Sequence, residues 1–192
     1  MNAENIERIR ELIVDLLIQI GEDPDREGLV KTPERVAQAW GYFIRGYNQT
    51  PEDIVGDAIF KENCDEIVAV TDIDFFSICE HHLLPFKGVT HVGYLPKNKI
   101  IGISKIPRIV NIYARRLQVQ ERMTQEIADA IQRVLDPHGV AVTIEAEHLC
   151  MQMRGVEEKA SFMVTSAIRG VFREDRESRE ELLSIISRRR RS

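Results

Sequence analysis

One stretch constrains this chain more than any other. Ser77-Ile78-Cys79-Glu80-His81-His82-Leu83-Leu84-Pro85 packs one thiol and two imidazoles into four positions and stops at a proline. Cysteine and histidine are the preferred ligands of zinc, and the Cys79–His82 spacing lets one turn of backbone offer two of them to a single ion. Two ligands are half a site, so any fold that uses them must bring a third from elsewhere in the chain. His148-Leu149-Cys150 supplies it. The segment from Gly139 to Cys150 alternates, with Val140, Val142, Ile144 and Ala146 on one face, and the pattern predicts a strand whose same face continues through His148 and Cys150. Cys79, His82 and Cys150 then leave a fourth tetrahedral position for water, the arrangement of a catalytic zinc. His81 and His148 are spare imidazoles beside it.

Either cluster alone fits ordinary burial, since free cysteine is among the most buried residue types and histidine is commonly a hydrogen-bonded core or surface group. Together they outweigh that reading. Of three cysteines and five histidines in the chain, two and three respectively fall in these two short clusters. Cys64, His91 and His138 lie outside, with no chemistry assigned. The odd cysteine count, without a secretory pattern, points to a reducing compartment and a cytoplasmic protein. No uncharged apolar run approaches membrane-spanning length. A net charge of -5 argues against a general nucleic-acid binder. The arginine run Arg188-Arg189-Arg190-Arg191 raises nucleic acid again, but basic residues at a helix end complement its dipole and a short run is ordinarily a solvated terminus.

Read in order, the chain opens helical. Ile6, Ile9, Ile13, Leu16, Leu17 and Ile20 recur at helical spacing up to Gly21; Thr32-Pro33-Glu34-Arg35 starts a second helix with a capping hydroxyl, and Thr50-Pro51-Glu52-Asp53 starts a shorter one. From Glu66 the texture changes. Strands are predicted from Ile67 to Ile78 and from Gly88 to Leu95, as antiparallel neighbours. A helix over Ser104–Arg116 follows, then a longer one ending at Asp136-Pro137, two more strands over Gly139–Leu149 and Ser161–Phe172, and a closing helix from Glu174. The order β-β-α-α-β-β defines an α+β fold with one four-stranded sheet, helices on one face, and exposed edges that invite other subunits to extend it.

The motifs Ser77-x-Cys79-Glu80-His81-His82-x-Leu84-Pro85-Phe86, Ser104-Lys105-Ile106-x-Arg108, Gln118-Val119-Gln120-Glu121-Arg122 and His148-x-Cys150-Met151-x-Met153-Arg154-Gly155-Val156 resemble those of the zinc-dependent GTP cyclohydrolase I family. The resemblance runs from Thr32 to the C-terminal helix. It implies an N-terminal helical region over 1–63 and a tunnelling-fold catalytic domain over 64–192, whose sheets join between subunits into a barrel. A homo-oligomer is implied, as a decamer of two stacked pentamers. The implied reaction converts GTP and water to formate and 7,8-dihydroneopterin triphosphate, the first step of folate and pterin biosynthesis, with Zn2+ as cofactor.

For that reaction an acidic chain must gather cations around a triphosphate, and Lys105, Arg108 and Arg154 are the candidates, with Ser104 introducing a helix start that also attracts anions. Guanine offers two adjacent N–H donors that a carboxylate accepts in a fork; the resemblance assigns this to Glu121, assisted by Gln120, where spacing alone gives only a first-turn carboxylate. His148 is expected to protonate the ring nitrogen that departs when zinc-activated water attacks C8, and His81 is a second proton carrier. Glu80 is left as a supporting residue. Two other readings stay open: another tunnelling-fold enzyme acting on a pterin or purine, and a zinc-stabilised binding module, for which Cys64 is the one spare cysteine.

Overall fold

The structure, a computed structural model, describes residues 1–188; Arg189, Arg190 and Arg191 of the arginine run lie outside the described residues. The chain divides into two compact units, Met1–Arg45 and a second that begins at Gly46. In the first, α1 (Ala3–Gln19) is capped by the Asn2 side chain, which accepts from the Asn5 N–H at 2.8 Å, and it packs on α2 (Thr32–Phe43). Thr32 does not cap α2. The capping position belongs to Lys31, which makes no side-chain cap bond, and Thr32 is already helical, so the start there rests on Pro33, whose fixed φ suits a first turn.

In the second unit the Thr50 hydroxyl does cap its helix, α3 (Pro51–Val55), accepting from the Asp53 N–H at 3.2 Å. The elements β1 (Ile59–Lys61), β2 (Val68–Cys79), β3 (Pro85–Leu95), β4 (Lys99–Ile101), α4 (Lys105–Ala114), β5 (Leu117–Gln118), α5 (Gln120–Leu135), β6 (Gly139–His148), α6 (Leu149–Gln152), β7 (Met163–Gly170), α7 (Val171–Glu174) and α8 (Arg176–Arg188) follow. The long elements keep the expected order β-β-α-α-β-β. The sheet, however, has five strands in the order β5-β2-β3-β6-β7, antiparallel except for β5 against β2, and β1 pairs with β4 in a separate ribbon. Strands of two or three residues are too short to show a period of two, which is why the sequence pattern passes over them.

Val140, Val142, Ile144 and Ala146 of β6 share one buried cluster with Ile106, Ile109 and Val110 of α4 and Met123, Ile127 and Ile131 of α5, with α5 packed on β6 and β7 and α4 on β2, and this is the main core. The opposite face is not bare, which corrects the expectation of helices on one side only. Ala69, Gly93, Ala141 and Ile168 are register partners across β2, β3, β6 and β7, and Leu182 of α8 with Phe172 of α7 packs there. A Cβ on Gly93 would come within 2.3 Å of the Leu182 side chain, so the groove that receives α8 exists because that position has no side chain. Leu182→Ala removes the anchor of this helix that, among its described side chains, is the one fully buried. Hydrogen exchange is expected to accelerate through Arg176–Ser187 while α5 stays protected; an unchanged exchange pattern would mean that α8 is held by something other than Leu182.

Candidate metal centre

The turn that carries the Cys-His pair is built by backbone hydrogen bonds. At the end of β2 the Cys79 N–H donates to the Leu84 carbonyl and the Leu83 N–H to the Cys79 carbonyl, both at 2.9 Å, with Leu83 at φ 55. Ile78 then faces Pro85 as β3 begins. β5 holds the other side: Cys79 is in register with Gln118, and the Glu80 N–H donates to the Gln118 carbonyl at 3.0 Å. A side-chain clamp adds to this, because the Arg122 guanidinium grips both oxygens of Glu80 while its Nε donates to Gln118 Oε1 at 3.1 Å and its Nη2 to the Leu117 carbonyl at 3.3 Å. That guanidinium holds the Glu80 carboxyl below the usual carboxylate range. The turn is thereby tied to the start of α5.

Cys150 reaches the same place by a different route from the one its spacing suggests. β6 stops at His148, which caps α6, and Cys150 sits in the first turn of that short helix instead of continuing the strand face. Side-chain alternation therefore does not relate the two residues. Even so, Cys79 Sγ, Cys150 Sγ and a ring nitrogen of His82 all lie within 4.8 Å of one another, with Cys79 Sγ 3.8 Å from His82 Nδ1. Around a tetrahedral zinc with Zn–S near 2.3 Å and Zn–N near 2.0 Å, ligand atoms stand about 3.5–3.8 Å apart. The geometry and the donor set fit such an ion. Burial pushes the Cys150 thiol up and the neighbouring Cys79 adds to this, against the pull of Arg154, so the two sulfurs crowd together in a way that a cation would relieve. Neither His81 nor His148 joins the group among the described residues; His81 is exposed, its ring edge-on to His82 at 6.2 Å.

His148 is held separately. Its ring lies flat on the buried Phe86, centroids 4.6 Å apart and planes within 4°, because Phe86 and His148 are register partners across β3 and β6. Its Nε2 is 2.8 Å from Gln120 Oε1. Burial lowers the His148 pKa and the nearby Glu121 carboxylate pulls it back up, leaving a net fall. Gln120 itself is buried and bonded internally at both ends of its amide, so it meets the site through His148. Glu121, one residue on, is exposed in the first turn of α5.

The remaining predicted residues divide. Arg154 is exposed just past α6, close enough to Cys150 to act on its thiol electrostatically. Ser104, Lys105 and Arg108 belong to the far end of the sheet. Ser104 stands at the N-cap of α4 without a side-chain cap bond, Lys105 Nζ donates to the Ile54 carbonyl at 2.7 Å, and Arg108 is exposed. They follow Ile101, whose N–H reaches the Tyr94 hydroxyl at 3.5 Å, and Tyr94 is eight residues along β3 from Phe86, a separation of about 26 Å at 3.3 Å per residue. The Glu80–Arg122 clamp and the Phe86 stack were missed from sequence. Gln120 and Thr124 left a signal, being polar residues on the inward face of an amphipathic helix.

Fold and site together define an α+β protein with a Cys-His-Cys group that could hold a metal, set near a half-buried imidazole and an exposed carboxylate. A profile described as GTP cyclohydrolase I matches residues 9–187. The chain is 55% identical over 184 residues to a GTP cyclohydrolase 1 of Chlorobium phaeovibrioides, an alignment covering 96% of this chain and 82% of that one. It is 58% identical to one of Synechococcus sp. (89% and 75% covered) and 51% identical to one of Dictyostelium discoideum (96% and 80% covered). Among solved structures, an archaeosine synthase QueF-Like in the apo form aligns over 54% of this chain and 93% of that chain at TM-score 0.46 and 16% identity, a likeness that carries no argument. The chain belongs to the GTP cyclohydrolase I family.

The clamp makes a measurable claim about the metal group. Glu80→Gln keeps the shape but removes the charge that Arg122 grips, and zinc affinity is expected to fall by about tenfold or more in a chelator competition, since residues that orient metal ligands typically contribute on that scale. An unchanged affinity would leave the turn held by its backbone bonds alone.

Proposed function

We infer that the chain acts as a GTP cyclohydrolase I, opening the guanine imidazole ring of GTP with water, releasing formate and forming 7,8-dihydroneopterin triphosphate. The observation that carries this reading at the level of atoms is the convergence of Cys79, His82 and Cys150 within 4.8 Å beside His148. When bound there, Zn2+ supplies the Lewis acidity that makes water a nucleophile near neutral pH. Cys79, His82 and Cys150 would hold it.

His148 moves the proton that ring opening requires. With its pKa held down by burial, the ring is neutral at neutral pH, so it first takes a proton and then delivers it to the departing nitrogen. Glu121 accepts the paired N–H donors of guanine; it enters no ion pair among the described residues, which leaves both oxygens to the base. Arg154 faces the anionic substrate from the metal end. His81, exposed beside His82, is a second proton carrier. Gln120 contributes to the base site through the ring that it holds.

Ser104, Lys105 and Arg108 serve the triphosphate, but about 26 Å along β3 separates their end of the sheet from the metal group. One GTP does not span both within a chain. The site is therefore completed by a second copy, whose α4 start meets the metal end of its neighbour. Exposed Phe76, Phe162 and Val164, the open outer edge of β7 and the stretch of β2 beyond its two-residue pairing with β5 support a sheet extended from copy to copy, closed as a ring and stacked as a decamer. Three unpaired cysteines suit a reducing cytoplasm, and among the described residues no helix is long and apolar enough to cross a membrane.

Cys150→Ser should lose zinc and activity together, because a neutral hydroxyl is a poor replacement for a thiolate. His148→Ala should keep zinc and lose about a hundredfold to ten-thousandfold in formate release. Zinc content per subunit measured alongside formate from GTP checks both, and loss of zinc from His148→Ala would make that residue a ligand. Sharing of the site has its own test. Arg108→Ala and Cys150→Ser chains, each inactive alone, should recover turnover when co-assembled, since some sites then receive an intact arginine from one copy and an intact metal group from another. No recovery would mean that each chain builds its own site.

A further inference from the structure

We propose that Gln120 is a positioning residue that holds the His148 ring as its Nε2–H tautomer, so that every proton His148 exchanges with substrate passes through Nδ1. This deepens the functional reading above and rests on it. The orientation of the Gln120 amide follows from its surroundings. The side chain is buried, and its nitrogen lies 3.1 Å from the Ile144 carbonyl, 3.0 Å from the Met163 carbonyl and 3.1 Å from Thr165 Oγ1. Two of those three partners are carbonyl oxygens, which only accept, so the group that faces them has to be the NH2.

The third partner agrees with them. Thr124 Oγ1 is 2.6 Å from the Gln120 backbone carbonyl and must donate its one hydrogen there. The 2.7 Å contact between the Thr124 and Thr165 hydroxyls is then donated by Thr165, whose remaining lone pair accepts from the Gln120 amide. The bonds close a cycle that begins and ends on Gln120. Turning the amide over would set Oε1 against two carbonyl oxygens and a hydroxyl whose hydrogen is already committed. That leaves buried groups unsatisfied or repelling at three contacts at once, so the turned-over amide is excluded.

With the nitrogen assigned, Oε1 is what meets His148 Nε2 at 2.8 Å, and an amide oxygen only accepts. Nε2 therefore carries the hydrogen. In a neutral imidazole the lone pair is then on Nδ1, which makes no hydrogen bond to the chain among the described residues. Stacking on the buried Phe86 keeps the ring in one plane while this bond sets its direction within that plane. An imidazole free to adopt either tautomer would spend part of its time with a hydrogen where the reaction needs a lone pair. Gln120 removes that freedom without touching the substrate.

The zinc-loaded enzyme with 15N-labelled histidine rings tests this directly, through long-range proton–nitrogen correlations at a pH where His148 is neutral, its signals assigned by their loss in His148→Ala. The wild type should show the Nε2–H pattern at His148. Gln120→Met, which keeps the length but accepts nothing, should show a mixture of tautomers and lose about tenfold or more in kcat, with KM and zinc content little changed. Gln120→Glu, whose carboxyl is held protonated by the Ile144 and Met163 carbonyls so that its O–H donates to them while the other oxygen still turns toward Nε2, should keep the tautomer and retain more activity than the Met variant. An Nδ1–H pattern in the wild type overturns the proposal, as do equal kcat losses in the Met and Glu variants or a Met variant within about twofold of wild-type kcat. If Gln120→Met fails to assemble, the wild-type spectrum decides by itself. Absent GTP turnover by the wild type would overturn the functional reading, and the tautomer would remain readable.

Discussion

The hydrogen-bonded register of β3, with β2 on one side and β6 on the other, decides which side chains meet at the metal end. Pro85 faces Ile78 and Phe86 faces His148, so the end of β2 that carries Cys79, the aromatic ring beneath His148 and the last residue of β6 arrive together. A slip of one residue would turn each side chain on the slipped strand to the opposite face. The ladder also sets a condition of its own: a Cβ on Gly88 would lie 1.9 Å from the Glu145 carbonyl, so the close approach of β3 to β6 just beyond Phe86 needs a glycine. The core on one face and the α8 groove on the other both depend on the same pairing.

The first turns of α5 show how a polar interior becomes useful. Gln120 and Thr124 are buried where apolar side chains would pack as well, and they are tolerated because every donor they bring is matched by a backbone carbonyl or a hydroxyl. A satisfied network of this kind is directional, as a hydrocarbon core is not. Its direction is passed to His148. The charged groups that would meet substrate have the opposite character: Glu121, Arg154 and Arg108 are exposed and enter no ion pair among the described residues. On the proposed reading the difference matches the work asked of each, since a proton carrier must be aimed in advance whereas charges that grip a ligand find their partner when it arrives.

The Cys-His-Cys group and the start of α4 stand at opposite ends of one sheet, which on the proposed reading links assembly to function. A strand of eleven residues is a rigid spacer. It keeps the α4 start away from the chain's own metal group and presents both ends to neighbours, so a site that needs both is one for which association is a requirement. Open edges and apolar side chains on the same sheet supply the means.

Cys79 and His82 were legible in the sequence as a pair that could hold a metal because their relation is local: three positions apart on a turn, they can reach one ion whatever the rest of the chain does. The long helices and strands were legible for the same reason, as were the Thr50 cap and the stop at Asp136, which has left-handed backbone at φ 50. Cys150 was found for the wrong reason. Alternation would have kept it on a strand with His148, whereas the chain turns into α6 at that point, and a two-residue offset on a turn fixes no common face. Lys105 read as a candidate cation for the triphosphate, and the spacing gave no sign that its Nζ donates to the Ile54 carbonyl, 51 residues away. The direction of Gln120, the flat contact of Phe86 on His148 and the grip of Arg122 on Glu80 are likewise contacts between residues far apart in sequence. Periodicity and spacing carry information over a few residues, where the backbone geometry is common to all proteins. Register between distant strands is set by the packing of the whole sheet, and so only the tertiary structure decided that His148 Nε2 meets the Gln120 side chain.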